Sequence, residues 1–154
     1  MPDLQLPPFR MIHAAYVTAD LEAGKRRLTA ISGVEEFTIL TGVPIEVQGG
    51  QANIDFAVAQ ANGTTLEAIR PAGGLDKVYR QALPPDPADI AFHHFATRLE
   101  SAEEWAMVRE QAKRHGIDVP VFADAVGGTR YIYLDLRPQL GHMLEYIWSE
   151  DGAV

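Results

Sequence analysis

Four side chains in this sequence carry chemistry that their apolar surroundings do not explain: His13, Glu67, His94 and Glu145. Each histidine opens a His-x-Ala triplet inside a β-branched and aromatic run, Met11-Ile-His-Ala-Ala-Tyr-Val-Thr18 and Ile90-Ala-Phe-His-His-Phe-Ala-Thr-Arg-Leu99. Each glutamate lies in a later strand-like run, Leu66-Glu-Ala-Ile69 and Met143-Leu-Glu-Tyr-Ile147. The first pair spans 54 residues (13 to 67) and the second 51 (94 to 145). On a strand, alternate side chains share a face, so Glu67 stands with Thr65 and Ile69, and Glu145 with Met143 and Ile147. A carboxylate there needs compensation, because burying it unpaired is costly. Two imidazoles and two carboxylates can supply that compensation by holding one divalent metal ion, and Ni, Co, Zn, Mn and Fe(II) all suit the set. With no cysteine in the chain, any metal must be held by nitrogen and oxygen.

Simpler readings compete. A strand histidine is commonly a satisfied core residue, and either glutamate could pair with Arg70, Arg98 or Arg130. The repeated pair at matched spacing favours the metal. A one-residue slip in register would select His93 instead of His94. His115, at a helix end, and His142, at a strand start, are expected at the surface.

The elements that must position these residues repeat as well. After the first strand, Asp20 is a plausible N-cap, Leu21, Leu28 and Ile31 recur near helical spacing, and Gly33 closes the helix. Strand-like runs follow at 36–40, 45–48, 54–60 and 64–69, with Asn62-Gly63 as a hairpin turn. In the second half, Ser101 and Glu104 form a capping-box pattern ahead of Trp105, Val108 and Ala112, and Gly116 ends the helix. Strands are expected at 117–122, 130–136 and 142–148. Leu83-Pro-Pro-Asp-Pro-Ala-Asp89 cannot continue either regular structure and reads as a linker. The organisation expected is an N-terminal arm over 1–10, a first β-α-β-β-β module over 11–82, the proline-rich linker over 83–89, a second module over 90–150 and a tail over 151–154. Such half-amphipathic sheets bury their faces by pairing, which makes the fold class α+β.

Composition narrows the partners. The 154 residues carry a net charge of −8 without a Lys/Arg cluster, which argues against nucleic acid and against an anionic membrane surface. No apolar run approaches the length of a spanning helix, and the first eleven residues hold three prolines in place of a signal peptide's apolar segment. A cytoplasmic protein acting on a small molecule is the expectation.

The four motifs resemble those of the vicinal oxygen chelate superfamily, which includes glyoxalase I, methylmalonyl-CoA epimerase, extradiol dioxygenases and the fosfomycin and bleomycin resistance proteins. The resemblance runs from about Met11 to Trp148. Its carriers are His13, Glu67 in Leu-Glu-Ala-Ile-Arg-Pro71, His94 in His-His-Phe-Ala, and Glu145 in Gly141-His-Met-Leu-Glu-Tyr-Ile147. It implies paired modules forming a cup-shaped sheet around a metal held by His13, Glu67, His94 and Glu145, in a homodimer. It implies a metal-dependent isomerase, epimerase or lyase that forms an enolate or enediolate from a small acid, thioester or 2-oxo compound, with Glu145 and Glu67 as the proton-moving carboxylates. The ligand set is similar to glyoxalase I, whereas Tyr133-Leu-Asp-Leu-Arg-Pro138 looks more like the epimerase branch, and no counterpart of the glutathione-binding residues is evident. Two alternatives stand beside this: an Fe(II) extradiol-type dioxygenase, and a non-catalytic binder of a drug or metabolite. Glu46 is a further candidate base, set against a solvated edge-strand glutamate. Tyr16, Tyr131, Tyr133 and Trp148 could line the cup or pack in the core.

Overall fold

The computed structural model describes residues 1, 3–124 and 128–152; Pro2 of the expected arm and residues 153–154 of the expected tail lie outside them. The chain runs β1 (Met11–Val17), α1 (Leu21–Ser32), β2 (Thr38–Val47), β3 (Gly50–Ala61), β4 (Thr64–Gly74), α2 (Lys77–Arg80), β5 (Ala91–Arg98), α3 (Ala102–Arg114), β6 (Val121–Ala123), β7 (Arg130–Leu134), α4 (Arg137–Leu140) and β8 (Met143–Trp148). It is an α+β protein in which the order β-α-β-β-β occurs twice, with a short helix added to each copy. Two compact units result, residues 13–94 and residues 1–12 with 95–154. No helix among the described residues is long and apolar enough to cross a membrane.

In the unit 13–94 the strand order is β1-β4-β3-β2. β2, β3 and β4 are successive antiparallel hairpins, and Asn62 (φ 50°) with Gly63 (φ 86°) makes the tight turn between β3 and β4. β1 lies parallel to β4, with His13 opposite Thr65, Ala15 opposite Glu67 and Tyr16 opposite Ala68. The expected strands 36–40 and 45–48 are one strand, because a register shift between Leu40 and Val43 carries it past Gly42 and Pro44. Asp55 holds that bulge. Its Oδ1 accepts the Gly42 N–H at 2.8 Å, and Arg70 pairs with its other oxygen.

Helix α1 begins where Asp20 Oδ1 accepts the N–H groups of Glu22 (2.9 Å) and Ala23 (3.2 Å). Gly33 ends it in the left-handed conformation. Its buried face is Ala23, Gly24 and Leu28, and Leu28 packs with Ala57 and Ala68 beside Tyr16, Leu21 and Leu66. Ile31, placed on that face by periodicity, is 65% exposed. Gly24 sits mid-helix because a Cβ there would lie 2.9 Å from Thr18 Cγ2 and 3.3 Å from Ala68 Cβ. Helix and sheet approach that closely only without a side chain.

The other unit has the order β6-β7-β8-β5. Its core is Leu99, Trp105, Val108, Ala112, Ile132, Leu134, Leu136, Leu144, Tyr146 and Trp148, which places Trp148 in packing; Tyr133 is also buried. Ser101 Oγ accepts the Glu104 N–H, but the reciprocal half of the capping box is diverted. Glu104 instead accepts the Glu100 N–H and both terminal nitrogens of Arg10, which ties the N-terminal residues to α3. Strand β6 is shorter than the expected 117–122, since Ile117 N–H is spent on Ala112 O at the end of α3 and Pro120 has no N–H to give.

Candidate metal centre

The parallel pairing of β1 with β4 builds the first half of the site. Because Ala15 stands opposite Glu67, His13 lies two residues away on the same face, a diagonal neighbour of that carboxylate. His13 Nδ1 is 3.5 Å from Glu67 Oε1, with both side chains largely shielded from water. His94, fully buried on β5, brings its Nε2 to 3.2 Å from His13 Nε2. One potential ligand atom from each of His13, Glu67 and His94 lies within 4.8 Å of the other two.

This donor set fits a divalent cation. Two nitrogens, each roughly 2.1 Å from one ion, are separated by roughly 3.0 Å at octahedral and 3.4 Å at tetrahedral angles. The observed 3.2 Å falls between them. Nitrogen with one carboxylate oxygen, in a place largely closed to water, suits Zn, Ni, Co, Mn or Fe(II) and does not select among them.

The structure also separates the two adjacent histidines. His93 is 3% exposed, and its Nε2 lies 3.1 Å from the Val78 carbonyl oxygen of α2. Its ring stacks on Tyr79 with centroids 5.1 Å apart, and its Nδ1 lies 2.8 Å from Nδ1 of His94. His94 therefore faces His13 with one nitrogen and His93 with the other. Nothing in hydrophobic periodicity announces this arrangement, since α2 is four residues long and the Val78 carbonyl is a backbone group. Helix α2 is itself anchored by Asp76, which is 6% exposed and accepts the Gly73 N–H at 3.0 Å. Arg80 pairs with the same carboxylate and is the main cause holding it below the usual carboxylate range.

Glu145 belongs to the other unit, where it is 6% exposed on β8 and opposite Tyr133 of β7. Glu46 is exposed on β2, opposite Gln51. Among the arginines that could have neutralised a glutamate, Arg70 pairs with Asp55, and Arg130 with Asp124 and Glu150. Tyr16 packs edge-on against Phe92. His142 is half-buried and not at the open surface, its ring edge-to-face with Phe95.

No protein-family model and no curated protein matches the chain. Solved structures do. A methylmalonyl-CoA epimerase in complex with methylmalonyl-CoA and NH4+ is 18% identical with a TM-score of 0.61, covering 92% of this chain and 95% of its own. A variant Streptomyces coelicolor methylmalonyl-CoA epimerase in complex with 2-nitronate-propionyl-CoA is 19% identical with a TM-score of 0.62, over 95% of this chain and 96% of its own. The methylmalonyl-CoA epimerase of Mycobacterium tuberculosis is 13% identical with a TM-score of 0.56, over 91% and 87%. These likenesses establish the fold, which is the vicinal oxygen chelate fold that the four motifs resemble.

Proposed function

We propose that this protein is a metal-dependent epimerase or isomerase that moves a proton on the carbon next to a carbonyl of a small acid, thioester or 2-oxo compound. The observation that carries the reading is the shielded His13–Glu67–His94 cluster, with ligand atoms at the spacing one ion requires. His13, Glu67 and His94 would hold the ion, with Glu145 as fourth ligand. When bound, a divalent cation supplies Lewis-acid stabilisation of negative charge developing on a substrate oxygen. The chain's own part is proton transfer and exclusion of water. Glu67 and Glu145 are the carboxylates assigned to take up and return the carbon-bound proton. The fold shared with methylmalonyl-CoA epimerases supports a carbon acid activated by an adjacent carbonyl, thioesters included.

Metal analysis of the purified chain tests this. About one equivalent of divalent ion per chain is expected after offering Ni, Co, Mn and Zn, and uptake below about a tenth of an equivalent overturns the reading. Proton exchange at the substrate carbon in deuterated water then distinguishes a catalyst from a binder.

A second reading has a specific observation behind it. The cluster within 13–94 is two histidines and one carboxylate, the donor set of non-haem Fe(II) oxygenases. Oxygen uptake with catechols and Fe(II), together with absence of carbon-proton exchange, would favour that reading.

A further inference from the structure

The Val78 carbonyl settles more than the position of one ring. A carbonyl oxygen only accepts, so His93 Nε2, 3.1 Å away, carries the proton of that hydrogen bond. A single hydrogen must then lie between the two Nδ1 atoms, which are 2.8 Å apart. If His93 is neutral, its Nδ1 has only a lone pair and His94 is the donor. With its one hydrogen already given to the Val78 carbonyl, the neutral ring offers only an acceptor toward His94. The chain of bonds therefore runs from the Nδ1–H of His94 to His93 Nδ1, and from the Nε2–H of His93 to the Val78 carbonyl. The Nε2 of His94 is left with its lone pair, and that atom is the one facing His13 Nε2.

We infer that His93 is a positioning residue that fixes His94 in the Nδ1–H form, with α2 as its anchor, so that the Nε2 lone pair is presented to the metal site. Tyr79 contributes by stacking on His93, which restrains the ring in the plane that reaches both partners. Asp76 contributes by bonding Gly73 N–H and Arg80, which holds the helix that offers the carbonyl. This assigns a role to the half of the His-His pair that is not in the ligand cluster. It rests on the proposed metal reading, but the tautomer itself is a property of the metal-free chain.

The experiment has two arms. In the metal-free protein labelled with 15N at histidine, imidazole correlation spectra should show His94 protonated at Nδ1 and His93 at Nε2. A His94 protonated at Nε2 overturns the proposal. In the second arm, Zn2+ is titrated calorimetrically into wild type, His93→Phe and His93→Asn. Phenylalanine keeps the ring stacked on Tyr79 but offers no acceptor, and affinity should fall about 10- to 100-fold, as for loss of other groups that orient metal-binding histidines. Asparagine returns an acceptor near the former Nδ1 position and should recover most of that loss, which a purely structural role for His93 would not produce. Phe and Asn variants that both bind Zn2+ within about twofold of wild type overturn the proposal. If wild type takes up no Zn2+, Ni or Co, the proposed function fails, and the spectra of the metal-free chain decide the tautomer independently.

Discussion

Replacing Gly24 with alanine sets two effects of opposite sign against each other. Helix propensity alone predicts a gain, since glycine in a helix interior costs about 1 kcal/mol relative to alanine. Against this, the added Cβ would stand 2.9 Å from Thr18 Cγ2 and 3.3 Å from Ala68 Cβ. Neither neighbour yields easily. Thr18 is fully buried and its hydroxyl is committed to Asp20 and Asp89 at 2.9–3.2 Å, so turning Cγ2 away breaks those bonds. Ala68 has no side-chain torsion to adjust and belongs to β4. Overpacking of this kind costs about 1–3 kcal/mol, which leaves Gly24→Ala less stable than wild type by up to about 2 kcal/mol after the helix gain is subtracted. Urea unfolding followed by far-ultraviolet circular dichroism measures it, with a lowered midpoint and an unchanged slope. Thr18→Ser removes Cγ2 and keeps the hydroxyl, so the double variant should be more stable than the two single effects summed, a coupling read by the mutant cycle. A Gly24→Ala protein more stable than wild type by about the full 1 kcal/mol helix gain refutes the close-approach argument. An additive cycle would show that Thr18 is not what the new methyl meets.

Other outcomes follow from the same geometry. Alanine at His13, Glu67 or His94 removes a proposed ligand, and each variant should bind Zn2+ at least about tenfold more weakly in calorimetry while keeping its circular dichroism spectrum. Glu145→Gln should lose carbon-proton exchange in deuterated water even at saturating metal, and retention of wild-type exchange would remove Glu145 from the proton-transfer role. Asp76 has its carboxyl held below the ordinary range, chiefly by its hydrogen bond from Arg80. The folded state therefore prefers the ionised form, so its contribution is present above the ordinary carboxylate value and disappears as pH falls through the depressed one. Asp76→Asn should be less stable than wild type near neutrality, with the gap narrowing on acidification in urea melts; a gap independent of pH would contradict this.

The repeated order of elements is legible in the sequence because it rests on local signals. The β-branched runs, the Asp20 and Ser101 caps and the Asn62-Gly63 turn are each set by residues close in the chain. What is not legible depends on partners far away in sequence. The continuity of β2 past Pro44 depends on Asp55 and Arg70 holding the bulge from neighbouring strands. The Glu104 side chain leaves its expected capping partner because Arg10 arrives from 94 residues away. Ile31 follows helical spacing yet ends exposed, since the helix-to-sheet contact is centred on Gly24 and Leu28. The choice between His93 and His94 turns on a backbone carbonyl in a helix too short to leave a periodic pattern. Register from the first half selects His94, and His94 is the one whose ring nitrogen lies within 4.8 Å of potential ligand atoms of His13 and Glu67.

The pleat of two strands explains why a packing contact and a candidate ligand can be neighbours in sequence without interfering. Along β1 and β4, Ala14, Tyr16, Leu66 and Ala68 share one face, and His13, Ala15, Thr65 and Glu67 share the other. The first face is fixed by α1. Tyr16 and Leu66 border the cluster of Leu28, Ala57 and Ala68, and Gly24 permits the approach to Ala68. A slip of β4 by one residue would turn Glu67 toward α1 and press a charged side chain into the space where only a methyl group fits. Helix packing on one side of β4 thus specifies which side Glu67 occupies. Ala15, the residue opposite it, is small and fully buried, which leaves the carboxylate room to reach His13. A bulky residue at 15, such as Ala15→Leu, should therefore weaken Zn2+ binding more than it weakens the fold. The two effects separate when calorimetry of the variant is compared with its unfolding midpoint.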